Sequence, residues 1–269
     1  MKTLSSRQNP LYRQWLAQQK RSPRHSEMIA LEGSHLCLSW LAHRGPPRYA
    51  LFAQESLDEP EMAQLLAELE HSTNVIAMPI DLIAGLSTLV TAPPVIFMVD
   101  TPSEPEAPAI ESNCVLLDEV QDPGNVGTIL RTALAAGITE VFTSSGTAAC
   151  WSPKVLRAGQ GAQFALRMYE SVDLPTLIQA NRTKPTPLPV MVTSLAPEAR
   201  ELFQTRLPAN AIWVFGHEGA GVSAAITALA DHLIYIAQAS GAVQSLNVAS
   251  AAAICLFEQR RQQQAGLNQ

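Results

Sequence analysis

The sequence predicts an α/β protein made of two domains, in each of which strands alternate with helices. Short runs of apolar, β-branched and aromatic residues predict buried strands, and segments with helical spacing of apolar residues lie between them. At 269 residues the chain has enough length for two domains with cores of their own. A segment rich in proline and acidic residues separates the two groups of strands. We therefore expect two α/β domains joined by an extended linker.

The first predicted domain covers residues 1–100 and contains four strands. Their apolar runs lie at residues 28–31, 49–53, 74–77 and 95–99. A first helix is predicted to start at Asn9-Pro10, where a polar cap precedes apolar residues at helical spacing. Three more helices are predicted at residues 34–41, 59–71 and 81–89. The alternation of strands and helices favours a small α/β domain.

The predicted linker, residues 101–112, carries three prolines among acidic residues, which favours an extended chain. The second predicted domain covers residues 113–269 and opens with a strand at 114–118. Asp122-Pro123-Gly124-Asn125 then predicts a turn, and the helix that follows is predicted to end at Gly137. Further strands are predicted at 141–142, 190–194, 212–215 and 233–236, and further helices from Ser152-Pro153 and over 248–261.

Two polar turns near the end of the second domain predict its binding site. The strand 212–215 leads into the glycine-rich segment 216–223, and the strand 233–236 leads through a short loop into Ser245-Leu246-Asn247. Ligands of open α/β sheets bind outside the carboxyl ends of the strands, which is where both turns would lie. These turns alone predict a ligand site without naming the ligand.

The charge of the chain is unevenly distributed. The whole chain has a net charge of −6, whereas residues 1–48 carry +6 and the remaining residues −12. A basic segment on an acidic body is typical of proteins that contact the phosphate backbone of nucleic acids. A solvated basic surface with no partner gives the same pattern, so charge alone leaves both interpretations open.

Several classes of protein are disfavoured by the composition. The first twenty residues are polar and no apolar run is long enough for a membrane span, so we expect neither a secretory signal nor a membrane helix. The four cysteines lie far apart and the histidines lack metal-site spacing, so we expect no metal. Buried free thiols in a reducing cytoplasm are the expected state of Cys37, Cys114, Cys150 and Cys255.

Three segments of the second domain match the motifs of one known family. They are Asp122–Arg131 (DPGNVGTILR), Gly216–Ser223 (GHEGAGVS) and Ser245–Ser250 (SLNVAS), and Ser152–Ala158 (SPKVLRA) between the first two also fits. In this order and spacing they make the chain similar to the SpoU (TrmH-like) family of RNA ribose 2′-O-methyltransferases, in the SPOUT class. The first domain, with Asn9-Pro10 and Leu31-Glu32-Gly33, resembles the ribosomal-protein-like RNA-binding domain that many members carry.

The resemblance implies a trefoil-knotted, mostly parallel α/β domain that binds S-adenosyl-L-methionine (AdoMet) in the knot, largely through backbone groups. Chain knots are very rare, so periodicity alone would not suggest one. The positions that the resemblance assigns to the cofactor are Thr193, Ser194, Phe215, Gly216, Gly221, Ile236 and Leu246. A glycine at these turns lets the backbone approach a ligand closely.

The resemblance also assigns catalytic residues. Arg131 would contact the substrate hydroxyl or its phosphate, and Asn125 would support Arg131. The substrate and Arg131 would be oriented by Glu218, Ser245 and Asn247. A guanidinium stays protonated in proteins, so phosphate clamping and stabilisation of a developing alkoxide suit Arg131 better than general-base catalysis. Purely structural roles are the alternatives for two of these residues: Ser245 would cap a helix, and Asn247 would be a turn residue. His217 is interpreted as an incidental turn residue.

The family works as a dimer through its C-terminal helix, which implies a homodimer here with Arg131 presented across the interface. The RNA partner is expected to be structured ribosomal RNA more than tRNA, because the added basic domain gives reach for shape and phosphate recognition. The expected RNA contacts are Arg7, Arg13, Arg21, Arg24, Glu32, Lys154 and Arg157.

The chain departs from the family pattern at one place. Ile236 is followed by Ala237 where members usually have proline, and the loop after it is one residue longer than usual. Proline fixes φ, so its absence loosens this loop.

Two rival functions stay open beside methyl transfer to ribosomal RNA or tRNA. One is a non-catalytic RNA-binding protein on the same fold; the other is a nucleotide-binding metabolic enzyme, which the absence of GxGxxG and GxxxxGK[ST] motifs disfavours.

Overall fold

A computed structural model of the chain describes residues 1–22, 24, 26–69, 74–102, 109–239 and 245–267. Contacts divide it into two compact units. The first comprises Met1–Ser103 together with Trp151–Phe164, and the second comprises Glu104–Cys150 together with Ala165–Gln269. Each unit is described by itself below.

The strands and helices follow in chain order. The strands are β1 (Lys2–Thr3), β2 (Met28–Glu32), β3 (Tyr49–Ala53), β4 (Asn74–Met78), β5 (Val95–Asp100), β6 (Cys114–Asp118), β7 (Glu140–Thr143), β8 (Arg167–Tyr169), β9 (Val190–Thr193), β10 (Arg200–Glu201), β11 (Ile212–Gly216) and β12 (His232–Tyr235). The α-helices are α1 (Pro10–Gln19), α2 (Ser34–Arg44), α3 (Pro60–Leu69), α4 (Ile80–Leu86), α5 (Pro123–Ala135), α6 (Pro153–Gly159), α7 (Leu174–Arg182), α8 (Ala224–Thr227) and α9 (Val248–Gln264).

The first unit is built on a five-stranded mixed sheet in the order β1-β4-β3-β5-β2. β1, β4 and β3 run parallel, whereas β5 pairs antiparallel with both β3 and β2. Trp15 and Tyr12 of α1 are fully buried in its core, and the Tyr12 hydroxyl donates a hydrogen bond to the Leu82 carbonyl at 3.0 Å. A hydroxyl buried this deeply requires such a partner, so this bond fixes α1 against α4.

The segment Trp151–Phe164 contributes to the core of the first unit although it lies between β7 and β8 in the chain. Phe164 packs edge-on against Trp40 with ring centroids 5.2 Å apart, and its carbonyl accepts a hydrogen bond from Arg44 Nε at 2.9 Å. The segment includes α6, which is formed by the family-like motif Ser152–Ala158. Long-range packing places this segment, and no local pattern in the sequence predicts that placement.

The second unit is built on a seven-stranded sheet in the order β10-β12-β9-β11-β6-β7-β8, in which each pairing is parallel. The central strands β6 and β11 are buried along their whole length, as expected for a parallel sheet covered on both faces. The predicted α/β class with mostly parallel strands is confirmed for this unit. α5 packs against α9, and α9 also contacts β11.

The described residues also show the state of the cysteines and whether any helix could cross a membrane or any cluster could hold a metal ion. The four cysteines are buried free thiols, as predicted. The described part of the chain has no helix long and apolar enough to cross a membrane and no cluster of side chains suited to hold a metal ion. Part of the predicted linker, residues 103–108, and residues 240–244 of the unusual loop lie outside the described residues.

Candidate active site

A cavity of about 330 Å³ lies at the carboxyl ends of three adjacent strands of the second unit, β9, β11 and β12. Its size falls within the range of small-molecule sites in proteins. Three stretches of the chain line it, with contributions from α8 and α9. The stretches are 193–195 after β9, 216–222 after β11, and the residues that leave β12 and enter α9, among them Ile236, Gln238, Ser245 and Leu246. The two turns that the sequence singles out therefore do come together at one site.

The wall formed by residues 216–221 is a tightly closed loop. The backbone N–H of His217 donates to the Gly221 carbonyl at 3.0 Å, and the Gly221 N–H donates to the His217 carbonyl at 2.8 Å. Gly221 has a φ of 73°, a backbone conformation that favours glycine. The end of the loop is fixed to β6, because the buried Asp118 carboxylate accepts a hydrogen bond from the Ser223 N–H at 2.8 Å.

Gly216 is required by a different constraint, the close approach of two backbone segments. A Cβ at this position would lie 2.3 Å from the carbonyl carbon of Gly221 and 2.3 Å from the Val222 nitrogen. Both are backbone atoms of a hydrogen-bonded loop, so neither can move aside as the end of a flexible side chain can. Any other residue at position 216 would therefore force the loop out of its present shape.

A polar network joins three of the family-like motifs beside this loop. The Glu218 carboxylate accepts hydrogen bonds from Asn125 Nδ2 at 2.8 Å and from the backbone N–H groups of Asp122 and Gln121 at 3.1 and 3.2 Å. Asn125 Oδ1 in turn accepts from Asn247 Nδ2 at 2.8 Å. Asn247 also caps α9, because its Oδ1 accepts from the N–H groups of the second and third residues that follow it.

The network keeps Glu218 ionised. Burial acts to raise the pKa of the Glu218 carboxyl, but the hydrogen bonds from Asn125 and from backbone N–H groups outweigh it and lower the pKa overall. Because the folded-state pKa is depressed, the stabilisation is present above the carboxyl's unfolded-state pKa and is lost as the pH falls through the folded-state value. Near neutral pH the carboxylate therefore carries its charge and holds the start of α5.

Arg131 lies on α5, the helix that carries Asn125, but it does not line the cavity. Its side chain is exposed, and no hydrogen bond or ion pair links it to another described residue. Arg131 lies about two turns into α5, where an exposed charged side chain can reach a molecule outside its own chain. Among the described residues, the site therefore has a cavity and a carboxamide–carboxylate network, and no arginine is part of the cavity lining.

The positions assigned to the cofactor by resemblance divide into two groups. Six line the cavity: Thr193, Ser194, Gly216, Gly221, Ile236 and Leu246. Phe215 does not, because its side chain is fully buried in β11 and stacks on Trp213. Of the assigned catalytic positions, Glu218 and Ser245 line the cavity, whereas Asn125 and Asn247 reach it through the network with Glu218.

The positions assigned to RNA contact all belong to the first unit. Arg7, Arg13, Arg21 and Lys154 are exposed, and Arg24 is half-buried. Arg21 lies 3.9 Å from Glu27, a separation at which an exposed ion pair contributes little. The exposed cations have side chains accessible to a phosphate, and their role in RNA contact stays a prediction.

Glu32 and Arg157 take part in an internal network of the first unit. Glu32 is 8% exposed, and its carboxylate accepts hydrogen bonds from the Ser87 hydroxyl at 2.7 Å and from the N–H and hydroxyl of Thr88. Arg157 Nη1 donates to the Thr88 hydroxyl oxygen at 2.7 Å. The buried carboxylate thus holds the end of α4, and α6 is attached to the same loop.

We expect Glu32→Ala to destabilise the protein by about 2–3 kcal/mol, because the substitution leaves the Ser87 and Thr88 donors without their acceptor. Urea unfolding monitored by circular dichroism would measure it. The matched control is Glu27→Ala, since the Glu27 side chain is 76% exposed and should contribute almost nothing. Equal midpoints for the two variants would show that the Glu32 network contributes no stability.

Three site residues are absent from the sequence-based assignment. Asp118 fixes the end of the glycine-rich loop, Gln238 lines the cavity, and the His217 ring accepts hydrogen bonds from its own loop. The position of Asp118 at the end of an apolar strand was a usable signal. The positions of the Gln238 and His217 side chains depend on how their loops fold back, and no local sequence pattern predicts that.

Comparison with known proteins identifies the family of this site. The model of the SpoU rRNA Methylase family matches residues 112–257, more than half of the chain. The chain belongs to this family. The resemblance inferred from the three motifs is confirmed, and the matched region contains the cavity and its network.

Two relatives match over almost the whole chain. A protein described as an uncharacterized tRNA/rRNA methyltransferase, slr1673 of Synechocystis, is 32% identical over 97% of this chain and 94% of its own length. The 23S rRNA (guanosine(2553)-2'-O)-methyltransferase RlmP of Bacillus subtilis is 29% identical over 97% of this chain and 100% of its own length.

The fold of the chain is also similar to that of a solved SpoU methyltransferase. The SpoU methyltransferase AviRb from Streptomyces viridochromogenes, in complex with the cofactor AdoMet, matches with a TM-score of 0.83 and 26% identity. The match covers 96% of this chain and 99% of that chain. Both units of the present chain therefore have counterparts in one solved methyltransferase.

Proposed function

We propose that this protein transfers a methyl group from AdoMet to a ribose 2′-hydroxyl of structured RNA, with ribosomal RNA favoured over tRNA. The observation that carries the proposal is the network in which Glu218, Asn125 and Asn247 join three motifs of the SpoU family beside one cavity. The names of the full-length relatives support the reaction, and RlmP of Bacillus subtilis supports ribosomal RNA as the substrate.

The residues of the cavity fit AdoMet. Its volume of about 330 Å³ suits a bent small molecule, and glycines at 216, 219 and 221 expose backbone groups along one wall. Gln238 adds a polar residue to the lining of the cavity. Thr193, Ser194, Gly216, Gly221, Ile236 and Leu246 would hold the cofactor, and Phe215 would support the wall from the core.

When bound, AdoMet supplies an activated methyl group, so the protein's main task is to position the ribose oxygen in line with it. Asn125 and Glu218 fix the start of α5 and the glycine-rich loop relative to each other. Asn247 holds the start of α9, and Ser245 places a hydroxyl on the cavity surface two residues earlier. The chain thereby aligns the two walls between which the ribose would enter.

We infer that Arg131 binds the substrate phosphate and stabilises the charge that develops on the ribose oxygen. Its exposed position, away from the cavity of its own chain, supports its delivery to the cavity of a second copy. The protein would then be a homodimer in which each site combines residues of two protomers. The helix α9 supports such a dimer, because Phe257 is 46% exposed on it and Ile254 is only half-buried.

The dimer is tested by Phe257→Glu, which places a charge on the exposed apolar face of α9. We expect this variant to elute as a monomer of 29.0 kDa in light scattering and to lose methyl transfer. Val90→Glu is the control, because Val90 is fully exposed in the first unit and its replacement should leave the dimer intact. A dimeric, active Phe257→Glu protein would rule out this interface.

We further propose that the first unit binds RNA. The exposed cations Arg7, Arg13 and Arg21 support this role, because phosphate contacts give most of the affinity of proteins for RNA. Replacing all three with alanine should weaken RNA binding and flatten its dependence on salt, as measured by filter binding at several salt concentrations. Unchanged affinity and salt slope would remove this role.

The family's trefoil knot is also proposed for the second unit. The parallel order β12-β9-β11, in which two later strands flank an earlier one at the cavity, supports it. Tracing the chain from β12 into α9 in a crystal structure of the AdoMet complex tests it.

We also propose that the protein is located in the cytoplasm. The buried free thiols support this location, and cell fractionation tests it.

The decisive experiment for the activity uses purified protein, AdoMet with a labelled methyl group, and three substrates: protein-free ribosomal RNA, ribosomal particles and tRNA. Nuclease digestion followed by mass spectrometry identifies any 2′-O-methyl nucleotide. We expect label on a ribosomal RNA ribose and little on tRNA. AdoMet binding without label on any of the three substrates would favour the non-catalytic RNA-binding alternative, whereas label on a base would contradict ribose methylation.

A further inference from the structure

The side chain of His217 lies inside the glycine-rich loop and holds its backbone. His217 Nδ1 accepts a hydrogen bond from the Gly219 N–H at 2.9 Å and another from the Ala220 N–H at 3.1 Å. With the two backbone bonds between residues 217 and 221, the loop is closed by four hydrogen bonds that all involve His217 or its ring. An incidental turn residue would not be expected to make these contacts.

These contacts require a neutral ring. An imidazole nitrogen that accepts two hydrogen bonds must present its lone pair, so the ring proton belongs on Nε2. Protonation of Nδ1 would direct a third N–H at the N–H groups of Gly219 and Ala220 and would break both bonds. The two bonds therefore tie the backbone of Gly219 and Ala220 to the imidazole ring.

The loop held by this ring forms one wall of the cavity and also anchors the polar network. His217, Glu218, Gly219, Ala220 and Gly221 all line the cavity. The carboxylate of Glu218 holds the loop from outside through the start of α5, while the imidazole holds it from inside. Loss of the inner contacts would therefore change the backbone groups that face the ligand.

We infer that His217 is a positioning residue: its imidazole holds the loop 216–221 in the shape that binds AdoMet. The inference rests on the proposed function for the identity of the ligand.

Two substitutions test the role of the ring. His217→Ala removes the acceptor. His217→Asn keeps an acceptor, because an asparagine oxygen can accept from the N–H groups two and three residues ahead, as Asn247 does for Ala249 and Ser250.

The test is the AdoMet dissociation constant, measured by calorimetry for the natural chain and both variants under the same conditions. His217→Ala should bind about tenfold more weakly than the natural chain, because two hydrogen bonds that hold the loop are lost. His217→Asn should bind nearly as the natural chain does, because the acceptor is kept. Normal binding by His217→Ala, or equally weak binding by both variants, would overturn the inference.

A second readout needs no ligand. We expect the amide hydrogens of Gly219 and Ala220 to exchange with solvent at least about tenfold faster in His217→Ala than in the natural chain and in His217→Asn, as measured by NMR. Equal exchange in all three proteins would overturn the role of the ring. A natural chain that binds no AdoMet at any pH would instead contradict the proposed function, and the exchange rates would still decide the role of His217.

Discussion

Gly216→Ala is expected to abolish AdoMet binding and to destabilise the protein by about 1–3 kcal/mol, the usual effect of forcing extra volume into a packed site. The added methyl group would lie 2.3 Å from backbone atoms of Gly221 and Val222, well inside the distance at which atoms repel. The loop would have to move as a whole, and the hydrogen bonds between His217 and Gly221 would break. Calorimetry with AdoMet and urea unfolding measure the two effects.

A second glycine of the same loop supplies the control. A Cβ on Gly219 would meet only the His217 ring, at 3.6 Å, which is an ordinary contact. Gly219→Ala should therefore fold and bind AdoMet nearly as the natural chain does. If Gly216→Ala and Gly219→Ala behaved alike, the close approach at Gly216 would not be what shapes the cavity.

Arg131→Ala is expected to reduce methyl transfer about 100-fold or more, the typical effect of removing a group that stabilises transition-state charge. Because Arg131 is exposed and has no described partner, its removal should change neither the melting temperature nor the affinity for AdoMet. Single-turnover kinetics and thermal unfolding of the same sample separate the two effects. Arg131→Lys keeps the charge but loses the bidentate geometry. Its rate of methyl transfer should lie between those of the natural chain and Arg131→Ala.

Mixing two inactive variants tests whether Arg131 acts on a second copy. Ile236→Arg would fill the cavity of its own chain and leave its Arg131 intact, whereas Arg131→Ala keeps the cavity. If each site combines two protomers, mixed dimers have one complete site, and mixing should restore about a quarter of full activity. No recovery, with dimer exchange verified by mass spectrometry, would place Arg131 and the cavity of one chain in the same site.

The elements that the sequence predicts well are those with continuous apolar runs. The strands Tyr49–Ala53 and Cys114–Asp118 have the predicted bounds, because buried strands need uninterrupted apolar residues. The short strands β1, β8 and β10 were not predicted. They contain charged residues and exist only because a neighbouring strand supplies their hydrogen bonds, as β4 does for β1.

The site shows the same division. The motif segments 216–223 and 245–250 contain many of the residues that line the cavity, since glycine and polar turns at strand ends are visible in the chain itself. They could not show that Phe215 faces the core, that Glu32 is held by Ser87 and Thr88, or that the His217 ring binds its own loop. Each of these depends on a partner brought close by tertiary packing.

The cavity also fixes when the protein can first bind its cofactor during synthesis. Every described residue that lines it lies between Thr193 and Ala251, and the three stretches meet only when β9, β11, β12 and the start of α9 are all in place. A nascent chain on the ribosome therefore cannot bind AdoMet until Ala251 has emerged from the exit tunnel. A truncated polypeptide released before this point has no complete cofactor cavity, so we expect it not to bind AdoMet.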